Sequence, residues 1–211
     1  MTFWHNRWST NQIGWHRPVV NDLLVKHWPK LNHDRGTHVL VPLCGKSIDM
    51  HWLVEQGHLV TGIELVQTAA EAFFAEAKTT PSVQQFEDIT QYTNGKITIL
   101  QGDILAVETA MVSSEAWYDR AALVALPSHM RPAYVDQIHA LTKPGSTGLM
   151  ITYSYPQNEM QGPPFSLPDE EVTRLFESRF TVEVLEHIQL EDEKQRGLSS
   201  IHSTVYKLVR K

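Results

Sequence analysis

The chain has 211 residues, 42% of them hydrophobic, with 18 basic and 24 acidic side chains giving a formal net charge of −6 at pH 7. That length fits one domain with a substantial core, and the acidic balance argues against nucleic acid or an anionic membrane surface and for a small-molecule partner. Cys44 is the only cysteine, which excludes an intrachain disulfide and a cysteine-rich metal site, and the 11 histidines form no HExxH run, so no metal is expected.

The first residues, Met1-Thr-Phe-Trp-His-Asn-Arg-Trp8, have neither a basic leader region nor an apolar core of signal length. No apolar stretch approaches a membrane span, and a cytoplasmic protein is expected. Residues 1–36 are rich in indoles. Trp4, Trp8 and Trp15 can share one helix face, which serves either to pack a helix on a sheet or to form an aromatic cover facing a cationic ligand centre, with Trp8 the preferred contact.

From Thr37 onward strands and helices alternate, the signature of a parallel sheet flanked by helices. Thr37 to Val41 reads as a strand buried on both faces. Ser47 is placed to cap a helix carrying Ile48, Trp52 and Leu53 on one side, with Gly57 at its left-handed end. Leu59 to Ile63 is the second strand. Val66, Ala69, Ala70, Phe73, Phe74 and Ala77 form a helical stripe that stops before Thr79-Thr-Pro81.

Ile97 to Leu100 reads as the third strand and Ala116 to Tyr118 as a short fourth, ending at Asp119-Arg120. Met130, Tyr134, Ile138 and Leu141 mark a helix stopped by Lys143-Pro-Gly145, and Gly148 to Tyr153 is the fifth strand. Pro156 to Phe165 is rich in breakers and reads as a lid or a plain connection. A helix over Pro168 to Ser178, with Val172, Leu175 and Phe176 inward, precedes two consecutive strands near Phe180 to Leu190 and Ile201 to Val209. Those form a hairpin around the polar turn Glu191 to Gly197, which puts one antiparallel strand on an otherwise parallel core.

Four strand ends carry the chemistry. Leu43 to Ser47 follows the first strand, and Glu64 closes the second at the distance where an acidic residue accepts hydrogen bonds from ribose hydroxyls. Gly45 is the only glycine of that loop, whereas a pyrophosphate calls for two or three, so the ligand expected is adenosine without a diphosphate. Asp103 follows the third strand and either accepts from an adenine amino group or makes a turn with its own backbone. Arg120 follows the fourth and either forks onto an anionic ligand group or pairs with Asp119 or Glu115. Cys44 reads as packing rather than a nucleophile, and Lys46 as solvated rather than a ligand contact.

Trp4-His-Asn-Arg-Trp8, Asn11-Gln-Ile-Gly-Trp-His16, Val41-Pro-Leu-Cys-Gly-Lys-Ser47, Gly62-Ile-Glu64, Asp119-Arg120 and Gly162-Pro-Pro-Phe165 together resemble the thiopurine S-methyltransferase family, especially its bacterial members. The resemblance covers nearly the whole chain. It implies a class I, Rossmann-like methyltransferase fold with a mostly parallel seven-stranded sheet, one strand of it antiparallel, and helices on both faces. Residues 1–36 would be a helical cover and 37–211 the core of a single domain. It also implies S-adenosylmethionine as cofactor, which has a carboxylate and a sulfonium but no pyrophosphate. By resemblance, the cofactor contacts fall on Trp8, Leu43, Glu64 and Arg120, with Trp4, Asp103 and Ile104 as further candidates. The expected acceptors are thiopurines and related aromatic thiols, or selenium and tellurium compounds, and a monomer is expected. Arg120 could instead pair with an anionic acceptor. Animal relatives place a substrate-directed arginine a few residues before the glycine of the last hairpin. Here Arg196 directly precedes Gly197, so the register departs, and Arg196 and Arg17 are both open candidates for the acceptor. Two other readings are a sensor that binds the cofactor without transferring its methyl group and, less favoured for want of glycines, a nicotinamide-dependent oxidoreductase.

Overall fold

In the computed structural model, residues 2–191 and 197–211 are described, and the packing divides the chain into two compact units, Met1–Ala116 and Trp117–Lys211. The first unit opens with α1 (Thr2–Ser9) and α2 (Asp22–His27), followed by a 3-10 turn at Trp28–Leu31. β1 (His38–Val41), α3 (Asp49–Glu55), β2 (Leu59–Glu64) and α4 (Gln67–Glu76) come next. β3 (Ser82–Gln85), β4 (Thr90–Asn94) and β5 (Ile97–Gln101) follow, then a 3-10 turn at Ile104–Ala106. β6 (Ser114–Arg120) begins in this unit and ends in the second.

The strands of the first unit lie in the order β3-β4-β5-β2-β1. β1 and β2 run parallel with Val39 opposite Val60, and β2 and β5 run parallel with Gly62 opposite Ile99. Val39, Leu40, Val41, Ile63 and Ile99 are buried, as befits strands covered on both faces. The expected stripe on α4 is present, because Ala69, Ala70, Phe73 and Phe74 are all buried. α3 starts later than the sequence suggests. Ser47 Oγ accepts from Asp49 N at 3.3 Å but leaves Ile48 in the capping position, while Gly57 ends the helix with φ +103° as expected.

Two strands were not expected. β4 runs antiparallel to both β3 and β5. Every residue of β3 is exposed, so no apolar alternation marks it. The turn from β4 to β5 carries Asn94-Gly95 with Gly95 at φ +58°, a hairpin signal present in the sequence.

The second unit continues from β6 through 3-10 turns at Leu123–Ala125 and Ser128–Met130 to α5 (Arg131–Leu141) and β7 (Thr142–Ser154). α6 (Asp169–Phe176), β8 (Phe180–Gln189) and β9 (His202–Arg210) complete it, in the order β7-β9-β8. β9 is antiparallel to β7 and to β8, so the terminal hairpin is present. The two units together hold nine strands among the described residues, rather than seven, with β4 and β9 antiparallel to their neighbours instead of a single strand. The mostly parallel α/β class stands. Met130 falls in the turn before α5 and is exposed, whereas Tyr134, Ile138 and Leu141 point into the core as expected.

Buried Arg131 ties this unit together. Its guanidinium donates to Leu126 O at 3.0 Å, to Glu171 at 2.8 Å and to Ser166 O at 3.3 Å. The 156–165 loop contains no helix or strand, but Phe165 N donates to Val124 O at 2.6 Å, Gln157 bonds Ser166 N and Met160 O, and Glu159 accepts from Ser199 N and Oγ at 2.7 Å each. These bonds satisfy backbone groups that a breaker-rich segment cannot pair in a ladder.

Candidate active site

The first unit builds its site around one carboxylate. β1 and β2 are parallel, so the loop leaving β1 and the last residue of β2 emerge at the same edge. Cys44 N donates to Ile63 O at 2.9 Å, and Gly45 N donates to Glu64 Oε2 at 2.8 Å. Glu64 Oε1 accepts from Val66 N, also at 2.8 Å, where α4 begins. A carboxylate at a helix start meets the positive end of the helix dipole. Leu43 and Gly45 both hold positive φ, at +44° and +55°, which turns the loop sharply enough to bring its N–H groups inward.

Glu64 is only 6% exposed. Burial pushes its pKa up to about 7, against the pull of the Val66 and Gly45 N–H groups on the charged form. Gly45 N and Val66 N each bond one oxygen and the Leu65 N–H adds a weaker pull, and the roughly four acceptor directions of a carboxylate exceed these backbone donors, which leaves capacity for a hydroxyl donor such as one on a ribose.

The indoles lie against the same loop. A side chain on Gly45 would come within 3.3 Å of the Trp8 ring and 3.9 Å of Trp15 Nε1. Trp15 stands edge-on to both Trp4 and Trp8, at centroid distances of 5.2 and 6.0 Å. The three do not share one helix. α1 ends at Ser9, so Trp15 reaches the group from the returning turn, held by His16 N to Ile13 O at 2.8 Å.

On the other side of β2, Gly102 N donates to Glu64 O at 2.9 Å, and Gln101 lies opposite Glu64 in the ladder. Asp103 follows directly. Its Oδ1 accepts from Leu105 N at 3.0 Å, which makes the turn with its own backbone that was one of its two readings, and starts the 3-10 turn containing buried Ile104. The structure therefore gathers Trp8, Trp4, Leu43, Glu64, Asp103 and Ile104 at the ends of β1, β2 and β5 within the first unit. Arg17 is exposed beyond the indole turn, and Arg196 lies outside the described residues.

Cys44 is packing. A Cβ on Gly62 would lie 2.6 Å from its Sγ and 3.0 Å from Met50 Sδ, and burial, reinforced by Glu64, holds the thiol well above its usual pKa. Lys46 is not solvated, contrary to the expectation, because its side chain is largely buried and forms an ion pair with Glu76. Asp49, which sequence reasoning passed over, is buried and accepts from Asn21 N at 2.9 Å, and Asn21 in turn caps α2. That bond anchors the N-terminal segment on the start of α3.

In the second unit Arg120 is the last residue of β6 and half-buried. Neither acid proposed as its alternative partner is idle. Asp119 accepts from Ala122 N at 3.1 Å, Leu123 N at 3.3 Å and Tyr134 Oη at 2.6 Å, and Glu115 accepts from His38 N at 2.9 Å. Burial raises the Asp119 pKa to about 6 despite those donors, and raises that of Tyr134 as well.

All 211 residues match the family model described as Thiopurine S-methyltransferase (TPMT). The chain belongs to the thiopurine S-methyltransferase family. The thiopurine S-methyltransferase of Shewanella pealeana is 42% identical over 215 residues, covering 100% of this chain and 98% of that relative. That of Pseudomonas paraeruginosa is 42% identical over 213 residues, covering 99% and 98%. Among solved structures, the 1,6-didemethyltoxoflavin-N1-methyltransferase of Burkholderia thailandensis, with bound S-adenosylhomocysteine, shares the fold at a TM-score of 0.59 and 17% identity, over 89% of this chain and 75% of that one. This thiopurine S-methyltransferase family member is thus an S-adenosylmethionine-dependent methyltransferase, and the nicotinamide alternative is set aside. No helix among its described residues is long and apolar enough to cross a membrane.

Proposed function

We propose that this protein transfers the methyl group of S-adenosylmethionine to the sulfur of thiopurines and related aromatic thiols, and to soft selenium or tellurium nucleophiles. The observation carrying the reading is the buried Glu64 carboxylate, held by Gly45 N and Val66 N at the end of β2, beside a loop against which the Trp8 ring lies. Glu64 takes the ribose hydroxyls. Leu43 faces the amino-acid end, Asp103 and Ile104 the adenine, and Trp8, backed by Trp4 through Trp15, shields the sulfonium from water. Arg120 is assigned to an anionic group, on the cofactor or the acceptor, and Arg17 and Arg196 to the acceptor side. Residues 1–211 act as a single catalytic domain, working as a cytoplasmic monomer.

The cofactor supplies an electrophilic methyl carbon whose transfer removes the positive charge from sulfur. The C–S⁺ bond breaks as the new bond to the acceptor forms, and the acceptor's proton leaves to solvent. Charge disappears in that step, so the protein contributes mainly alignment and exclusion of water. A thiolate or selenolate is nucleophilic without a strong base, and a cationic arginine beside it favours the anionic form.

Incubation with methyl-labelled S-adenosylmethionine and 6-mercaptopurine is expected to yield the labelled thioether. The reading is overturned if no label passes to any thiol, selenite or tellurite, and tight cofactor binding without transfer would favour the sensor instead.

A pH dependence follows from Glu64. Ribose hydroxyls donate to its ionised form, so binding must first expel the proton that the buried carboxyl keeps below its pKa of about 7. Affinity for S-adenosylmethionine should therefore rise about tenfold per pH unit up to roughly pH 7 and then level off. Calorimetry on the native protein and on Glu64→Gln, where the slope should vanish, checks this. Folding stability is a poorer readout. The raised Glu64 pKa contributes stability that is present below about 4.5 and lost as pH rises through about 7, whereas His33, lowered to about 4 by burial, contributes stability present above 6.5 and lost as pH falls.

A further inference from the structure

We infer that Tyr134, acting through Asp119, is a positioning residue for Arg120. The inference rests on the reading of Arg120 just given. It begins with the backbone that leaves β6. Ala121, immediately after Arg120, has φ +66°, a left-handed conformation that is unfavourable for a residue with a side chain and persists only where its surroundings impose it. Asp119 is what imposes it. Its Oδ1 spans the turn by accepting from Ala122 N and Leu123 N, while Oδ2 accepts from Tyr134 Oη. Both side chains are 1% exposed, so water cannot replace a lost partner.

Successive side chains of a strand point to opposite faces, so the route from Asp119 to Arg120 runs through the chain. The downstream side of the turn is pinned as well, by Phe165 N on Val124 O and by Arg131 Nε on Leu126 O. The Arg120 Cα is thus set between a strand and a turn whose first residues are clamped by a carboxylate that a helix tyrosine holds in place. Such an arrangement fixes the base of a long side chain whose head must meet an anionic group in a fixed geometry.

The test is a double-mutant cycle with Tyr134→Phe and Arg120→Gln, read as kcat and KM for 6-mercaptopurine and for S-adenosylmethionine, with urea midpoints alongside. Tyr134→Phe is expected to lower kcat/KM roughly tenfold, within the range that misplacing a positioned group costs. It should do so through the parameter that Arg120→Gln changes, and should have under about twofold effect once Arg120 is gone. Asp119→Asn, which keeps an oxygen for Ala122 N and Leu123 N, should show the same non-additivity and provides a second arm. Equal losses with and without Arg120 would make the pair merely structural and overturn the inference. Native kinetics in both Tyr134→Phe and Asp119→Asn, with Arg120→Gln impaired, would overturn it while leaving the reading of Arg120 intact. Native kinetics in Arg120→Gln would overturn that reading, and the inference with it.

Discussion

Glu64→Ala is expected to weaken S-adenosylmethionine binding by about 1.5–3 kcal/mol, roughly 10- to 150-fold, the scale for losing hydrogen bonds to a charged acceptor. On the proposed reading the side chain has two tasks. Its oxygens hold Gly45 N and Val66 N at 2.8 Å each, fixing the β1 loop to the start of α4, and the ribose hydroxyls are proposed to donate to the same carboxylate. Alanine removes both and leaves two backbone donors seeking water. Calorimetric titration gives the result directly, and an unchanged dissociation constant would take Glu64 off the ribose.

Gly148→Ala is expected to damage folding more than any other single methyl group argued above. Its Cβ would sit 2.0 Å from Trp117 Cε2 and 2.4 Å from Cζ2 and Nε1, well inside contact distance. The indole cannot retreat, because it is fully buried and stacks on Phe176 at 6.2 Å and against Phe180 at 6.0 Å. Overpacking a tight core costs about 1–3 kcal/mol and sometimes more, against a total stability of about 5–15 kcal/mol for a typical domain. A loss of at least about 3 kcal/mol is expected in the urea midpoint at unchanged slope. Trp117→Phe, which trims the atoms in conflict, should recover part of that loss when combined with Gly148→Ala. A Gly148→Ala protein with native stability would show that the strand can shift to make room.

The legible parts of this chain were those where one physical requirement sets both residue type and spacing. The place of Glu64 was legible because an acidic residue directly follows the apolar run of the second strand, and α4 because Ala69, Ala70, Phe73 and Phe74 repeat with the helical period. What escaped was set by partners distant in sequence. β3 has no buried residue, so only its ladder with β4 makes it a strand. Asp49, Arg131 and the Asp119–Tyr134 pair look like ordinary polar residues until the fold removes water from around them. Trp15 was read onto the helix of Trp4 and Trp8, yet a turn after Ser9 delivers it to the same cluster. Trp8 over Gly45 had a signal in the sequence, since a single glycine in a loop marks where something large comes close to the backbone.

The setting of Cys44 has a consequence for an enzyme whose proposed acceptors are themselves soft nucleophiles. Its sulfur is the only one in the chain able to compete for a methyl group as a thiolate, and it lies one residue before the Gly45 that binds Glu64. Wedged against Gly62 and Met50, and kept protonated by burial, it is excluded from that competition. The catalyst is thereby protected from alkylating itself and from forming mixed disulfides with its substrates, so turnover need not shorten its working life.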